Sequence, residues 1–221
     1  MKTILRPQFI TPSLIALALL IVVTALVSPL DKTLGERVRI VYVHGAIIRV
    51  VLGLFVLSGV LGAVCVIVDH TTLFDRAKAL FEAGLVLWFV YVGISVVATL
   101  QTWGGIPWFE PRWVFTLQMT GLAPMAYAAG IALKNRRLAA ALYALTTILM
   151  LFLLSQARLV LHPIDPIGES GNSSIQLAYL IMLLWWVLVG VQVVRGRWAL
   201  AVARQPQFKD SINPGDRAVK A

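Results

Sequence analysis

Two of the three histidines, His44 and His162, stand at the edges of long apolar runs, and charged and aromatic residues collect near both. Arg158 precedes His162 by four residues, so one helical turn puts both on one face. Arg49 follows His44 by five residues. The segment from Trp103 to Trp113 reads Trp-Gly-Gly-Ile-Pro-Trp-Phe-Glu-Pro-Arg-Trp, which adds Gly104, Trp108 and Arg112 to the group. Neutral imidazole is a good axial ligand for haem iron, and two imidazoles can take its two faces. A porphyrin is a flat apolar disc with anionic propionates, so it suits aromatic walls with cations beside them. An arginine inside an apolar run must find a partner, because an unpaired charge there costs several kcal/mol, of order 3. A propionate, Glu82 or a backbone carbonyl could serve Arg49. Each residue also has a plainer explanation. A histidine at a helix end can face water, and tryptophans gather at membrane interfaces in any case.

The elements that must bring these residues together are helices in a bilayer. Of 221 residues, 59% are hydrophobic and 13% charged, where soluble domains are about half apolar and about a quarter charged. A chain of this length cannot hide so much apolar surface from water. A helix needs about 20 apolar residues to cross the hydrocarbon core. Six stretches qualify: Phe9–Pro29, His44–Val68, Lys78–Leu100, Val114–Leu133, Leu138–Ala157 and Ser174–Val194. The expected fold is an all-α polytopic membrane bundle of six transmembrane helices over residues 1–195, followed by a polar cytoplasmic tail, 196–221. The first run follows Lys2 and Arg6 but has no convincing small-x-small cleavage site, so it reads as a retained helix.

Charge orients the bundle. Thirteen of the 19 basic residues lie at one set of ends, and five lie at the other, with Arg49 inside a span. The positive-inside rule puts the first set in the cytoplasm. Both termini are then cytoplasmic, and the loops 30–43, 101–113 and 158–173 lie outside. His44, His162 and the tryptophan-rich segment share that outer side, while His70 falls on the inner one. The net charge of +9 is accounted for by these flanks and does not call for nucleic acid. Cys65 is alone, so it forms neither an intrachain disulfide nor a CxxC pair, and reads as a buried thiol. His70 lies near Asp69 and Asp75, a cluster that a solvated turn explains. Trp185 and Trp186 read as packing residues. No GxxxxGK[ST], GxSxG or HExxH is present.

Three blocks carry a resemblance to a known family. They are Val38-Arg39-Ile40-Val41-Tyr42-Val43-His44, the segment opening with Trp103-Gly104 and ending Trp108-Phe109-Glu110-Pro111-Arg112, and Leu161-His162-Pro163. The chain resembles the haem-handling proteins of bacterial cytochrome c maturation, the cytochrome c maturation protein C (haem exporter protein C) family. That family has an Arg-Ile-x-Tyr-x-His block before its second helix, a loop running from Trp-Gly to Trp-Asp-x-Arg, and a Leu-His-Gln block. The resemblance implies that His44 and His162 are the axial ligands of a haem b, and that residues Trp103 to Trp113 shelter it. It implies a non-enzymatic role in the cytoplasmic membrane of a bacterium or archaeon: holding haem and presenting it to a haem chaperone, with ATP-binding-cassette subunits as partners. The chain departs from the pattern in a shorter loop, in Phe109-Glu110 for Trp-Asp, and in Pro163 for Gln. Two other readings stay open: a b-type cytochrome subunit of a quinone-linked complex, and a permease or structural membrane subunit.

Overall fold

A computed structural model describes residues 7–157, 167 and 171–204. After a short turn of 3-10 helix (Pro7–Phe9) come α1 (Ile10–Val27), α2 (Val38–Val68), α3 (Thr71–Trp103), α4 (Pro111–Ala132), α5 (Arg136–Gln156) and α6 (Ser173–Arg204). Among the described residues there is no strand, only one isolated bridge between Asp31 and Gly35. All six expected helices are present. Five of them, α1, α2, α3, α5 and α6, are long and apolar enough to cross a membrane. The expectation of six spans is therefore met in helix number but not in apolarity, and α4 is the exception. Its sequence carries Arg112, Thr116, Gln118, Thr120, Pro124 and Tyr127 among its apolar residues.

Local chemistry sets the helix ends. Asp69 (φ 50°) ends α2 in the left-handed conformation, and its N–H donates to the Cys65 carbonyl at 2.9 Å. Gly104 (φ 73°) ends α3 in the same way, donating to Leu100 at 3.1 Å, and here glycine suits a backbone that other residues rarely adopt. Pro111 opens α4, where its missing N–H costs nothing. Asn135 caps α5 by accepting from the Leu138 N–H at 3.1 Å.

Several boundaries differ from expectation, and α3 begins at Thr71 rather than Lys78. α2 begins at Val38, so His44 lies nearly two turns inside the helix rather than at its opening. Val38 and Tyr42, one turn apart, are both buried, and the Tyr42 hydroxyl donates to the Pro29 carbonyl at 3.0 Å. That packing extends the helix outward past the basic residues that hid it in the sequence. α3 continues to Trp103, which is thus helical rather than part of the loop. α6 runs to Arg204, so the boundary drawn at 195/196 falls inside a helix. Contacts explain this extension: the Arg197 guanidinium donates to Glu82 at 2.7 Å, and Arg76 lies over the Trp198 ring at 5.3 Å.

α2 is the central element, packing on α1, α3, α5 and α6. Its buried face, including Ile47, Val51 and Phe55, meets Phe81 and Trp88 of α3 and Tyr143 and Met150 of α5. The rings interlock: Phe55 and Phe81 centroids lie 5.3 Å apart, and Phe81 and Tyr143 4.4 Å apart. α1 turns Ile15, Leu19, Val22, Val23 and Leu26 outward. Apolar side chains of this kind suit lipid, the solvent for which such helices are built.

A candidate ligand cavity at one end of the bundle

The start of α2 and the end of α3 lie side by side, and between them and α4 and α6 opens a cavity of about 980 Å³. This is near the top of the range for small-molecule sites, about 300–1,000 Å³. His44, Arg49, Trp103, Arg112 and Trp113, which the sequence singles out in two separate stretches, all line it. The Trp108 ring leans on Trp113 with centroids 6.2 Å apart, and half of Trp108 is exposed. Gly104 shapes the turn beside Trp103 without lining the cavity. His162 and Arg158 lie outside the described residues. Ile167, from the same connection, is buried and lines the cavity. His70 precedes α3 at the opposite end of α2, the length of a 31-residue helix from the cavity's end.

The site has an imidazole side and a charged side. His44 Nδ1 lies 3.2 Å from Ser95 Oγ, and the ring stacks on Tyr91 with centroids 5.3 Å apart and planes at 29°. Arg49 spreads its guanidinium over the Tyr179 ring at 4.7 Å, a cation–π contact. Tyr179 in turn donates from its hydroxyl to the Gly45 carbonyl at 2.9 Å. Glu82, weighed above as a partner for Arg49, is instead engaged with Tyr127, Arg197 and Lys78.

Glu110 and Arg112 line the cavity together. One Glu110 oxygen, Oε2, caps α4 by accepting from the Trp113 N–H at 2.9 Å. The other, Oε1, is buried and has no hydrogen-bond partner among the described residues, and the same holds for Arg112 Nε. Asp31 also reaches the lining. Its carboxylate accepts from the Leu34 and Thr33 N–H groups, both at 2.8 Å. These bonds, that of Leu34 foremost, hold its pKa below the usual carboxylate value of 3.8. Among the described residues no group of three or more His, Cys, Asp or Glu is placed to hold a bare metal ion.

Ser95, Tyr91, Asp31 and Tyr179 carry no special signal in the sequence, and Glu110 drew attention only as part of its loop. One faint mark was legible. Tyr91, Ser95, Thr99 and Thr102 recur at helical spacing through an otherwise apolar run, which predicts a polar stripe on one face. All four line the cavity.

Chemically, the cavity offers one imidazole, two guanidiniums, two carboxylates and aromatic walls. A ligand that fits would have a coordinating or hydrogen-bonding centre, an apolar body and anionic groups. No family model matches this chain, and no curated protein matches it either. The resemblance in three sequence blocks and the geometry of the cavity therefore carry the functional reading between them.

Proposed function

We propose that this chain is a membrane haem-handling protein of cytochrome c biogenesis, which holds haem b and presents it to a haem chaperone. One observation carries the reading. His44, Arg49, Trp103, Arg112 and Trp113, which the sequence marks as candidates for haem contact, line a single cavity of about 980 Å³. The residues present fit the group. His44 would ligate iron, with His162 as the second ligand. Arg112 and Arg49 would meet propionates, together with Arg158. The buried Arg112 Nε lacks a partner among the described residues, which supports a role for it toward an anionic ligand. Trp103 and Trp113 would flank the macrocycle.

The same reading makes α4 the sixth span, with helix-internal hydrogen bonding and the α3 interface absorbing its polar side chains. Both termini are then cytoplasmic, and the cavity faces outward across a bacterial or archaeal cytoplasmic membrane. The role is binding and transfer, not catalysis. Haem supplies nothing beyond being the cargo. The partners, a haem chaperone and ATP-binding-cassette subunits, follow from the resemblance.

The test is the visible spectrum of the purified chain in mild detergent, oxidised and reduced, with a pyridine haemochrome assay. We expect about one haem b per chain, lost in His44→Ala and in His162→Ala and kept in His70→Ala. Absence of haem when it is supplied during expression would overturn the proposal and favour a permease or structural subunit.

A further inference from the structure

We infer that the groove where the end of α1 meets the start of α2 and the end of α3 binds the phosphate headgroup of an acidic phospholipid, through Arg37 and Arg39. The groove is separate from the cavity, shares no lining residue with it, and does not depend on the haem reading.

The groove measures about 580 Å³, and Ala25 of α1, Arg37, Arg39 and Ile40 at the start of α2, and Gln101 of α3 line it. Ala25 and Gln101 each stand two residues before the last residue of their helix, so the groove lies at the level where the apolar spans end. Basic residues at that level meet lipid headgroups. The sequence neighbours of those two residues, Leu26 and Leu100, are 58% and 50% exposed, apolar surface of the kind that acyl chains cover. Arg39 carries a donor that calls for an acceptor: its Nε is buried and has no hydrogen-bond partner among the described residues. Its ion pair, from Nη1 to Glu36 Oε1 at 3.8 Å, is long, and the Glu36 side chain is 77% exposed, so the pair holds it weakly. Arg37 is exposed and makes no ion pair among the described residues. Two guanidiniums against one loosely held carboxylate, Glu36, leave the lining with excess positive charge. A guanidinium fork matches the paired oxygens of a phosphate, and the Gln101 amide adds donors beside it. A free phosphate would satisfy the arginines and leave the apolar border bare. An acidic phospholipid satisfies both.

The experiment uses the full chain in mild detergent and follows thermal unfolding as phosphatidylglycerol, phosphatidylcholine or inorganic phosphate is titrated in. A ligand that binds the folded state raises the melting temperature. We expect a saturable rise with phosphatidylglycerol, a weaker one with phosphatidylcholine and none with inorganic phosphate. Arg37→Gln and Arg39→Gln should each weaken the apparent affinity for phosphatidylglycerol roughly 10-fold or more, the scale of one lost charge-assisted hydrogen bond. Lys32→Gln, which changes an exposed basic residue outside the groove, should leave it unchanged. An absent or non-saturating response in the wild type overturns the inference and returns both arginines to solvated flanks, whether or not any variant folds. So does equal affinity for the two lipids, undiminished affinity in both arginine variants, or the same loss in Lys32→Gln. A response to inorganic phosphate as strong as that to phosphatidylglycerol overturns the lipid assignment and leaves a simple anion site.

Discussion

Glu110 serves two tasks with its two oxygens, and substitution can separate them. Oε2 caps α4 and Oε1 lies buried at the cavity. Removing a capping side chain costs about 1 kcal/mol. Glu110→Ala should therefore lower stability by about that amount in thermal unfolding in detergent. Glu110→Gln keeps an oxygen for the Trp113 N–H and should melt close to wild type. A change in haem retention in Glu110→Gln would then report the lost charge and not the lost cap. Asp31 makes a pH prediction. Its pKa is depressed by backbone donors in the fold, so its contribution is full above the ordinary carboxylate value and disappears as pH falls through the depressed one. Stability of wild type minus Asp31→Asn, measured across a pH series, should be positive near neutrality and vanish in strong acid. The residues legible in the sequence were those rare in an apolar chain: His44, Arg49, Arg112 and the tryptophans. Ser95 and Tyr91 are marked only faintly, by their helical spacing with Thr99 and Thr102, because serine and tyrosine are unremarkable in a helix. Their meaning comes only from a partner on α2, which no local pattern encodes.

α3 and α4 meet through hydroxyls. The Trp88 indole N–H donates to Thr120 Oγ1 at 3.0 Å, and the Tyr91 hydroxyl lies 3.5 Å from Thr116 Oγ1. Each threonine also donates to a carbonyl one turn back, Thr116 to Arg112 and Thr120 to Thr116. The polar residues that lower the apolarity of α4 are thus partly internal and satisfied, as a low-dielectric setting requires. The existence of α4 was legible from its length, and the use of its polar side was not. α2 and α5 meet through a hydroxyl too, Thr147 donating to the Phe55 carbonyl at 2.6 Å, and also where a side chain is absent. A Cβ at Gly62 would lie 2.7 Å from the Ala140 carbonyl oxygen, and a backbone atom cannot step aside. Gly62→Ala should force the two helices apart, at a cost of about 1–3 kcal/mol, seen as a lower melting temperature. Gly53→Ala on the same helix meets nothing within 4 Å and should be nearly neutral.

Across the whole molecule, ion pairs also tie the helices together away from the cavity. Asp69 pairs with Arg137 at 3.2 Å and Arg136 at 3.8 Å, while Glu82 gathers Arg197, Lys78 and Tyr127. These bonds tie α2 to α5 and α3 to α6, and they explain why α6 stays helical beyond its apolar stretch. Arg197→Ala removes the closest cation from a nearly buried carboxylate. The loss should stay below the roughly 3–5 kcal/mol of a fully buried pair, because Lys78 remains at 4.0 Å. On the proposed orientation, a reporter fused after Lys134 should read as cytoplasmic and one inserted near Gly168 as external; the reverse pattern would sink it. Layout was legible at this scale because basic residues mark helix ends, but the depth of His44 was not, since Arg37 and Arg39 masked the first turns of α2. That depth has a mechanical consequence. α2 is one unbroken rod, wedged at Gly62 against α5 and carrying His44 near its far end. The arm between the two is about 27 Å at roughly 1.5 Å per residue. A tilt of about 4° at the fulcrum would swing the imidazole by about 2 Å over that arm, enough to seat or unseat a ligand without unwinding a single turn.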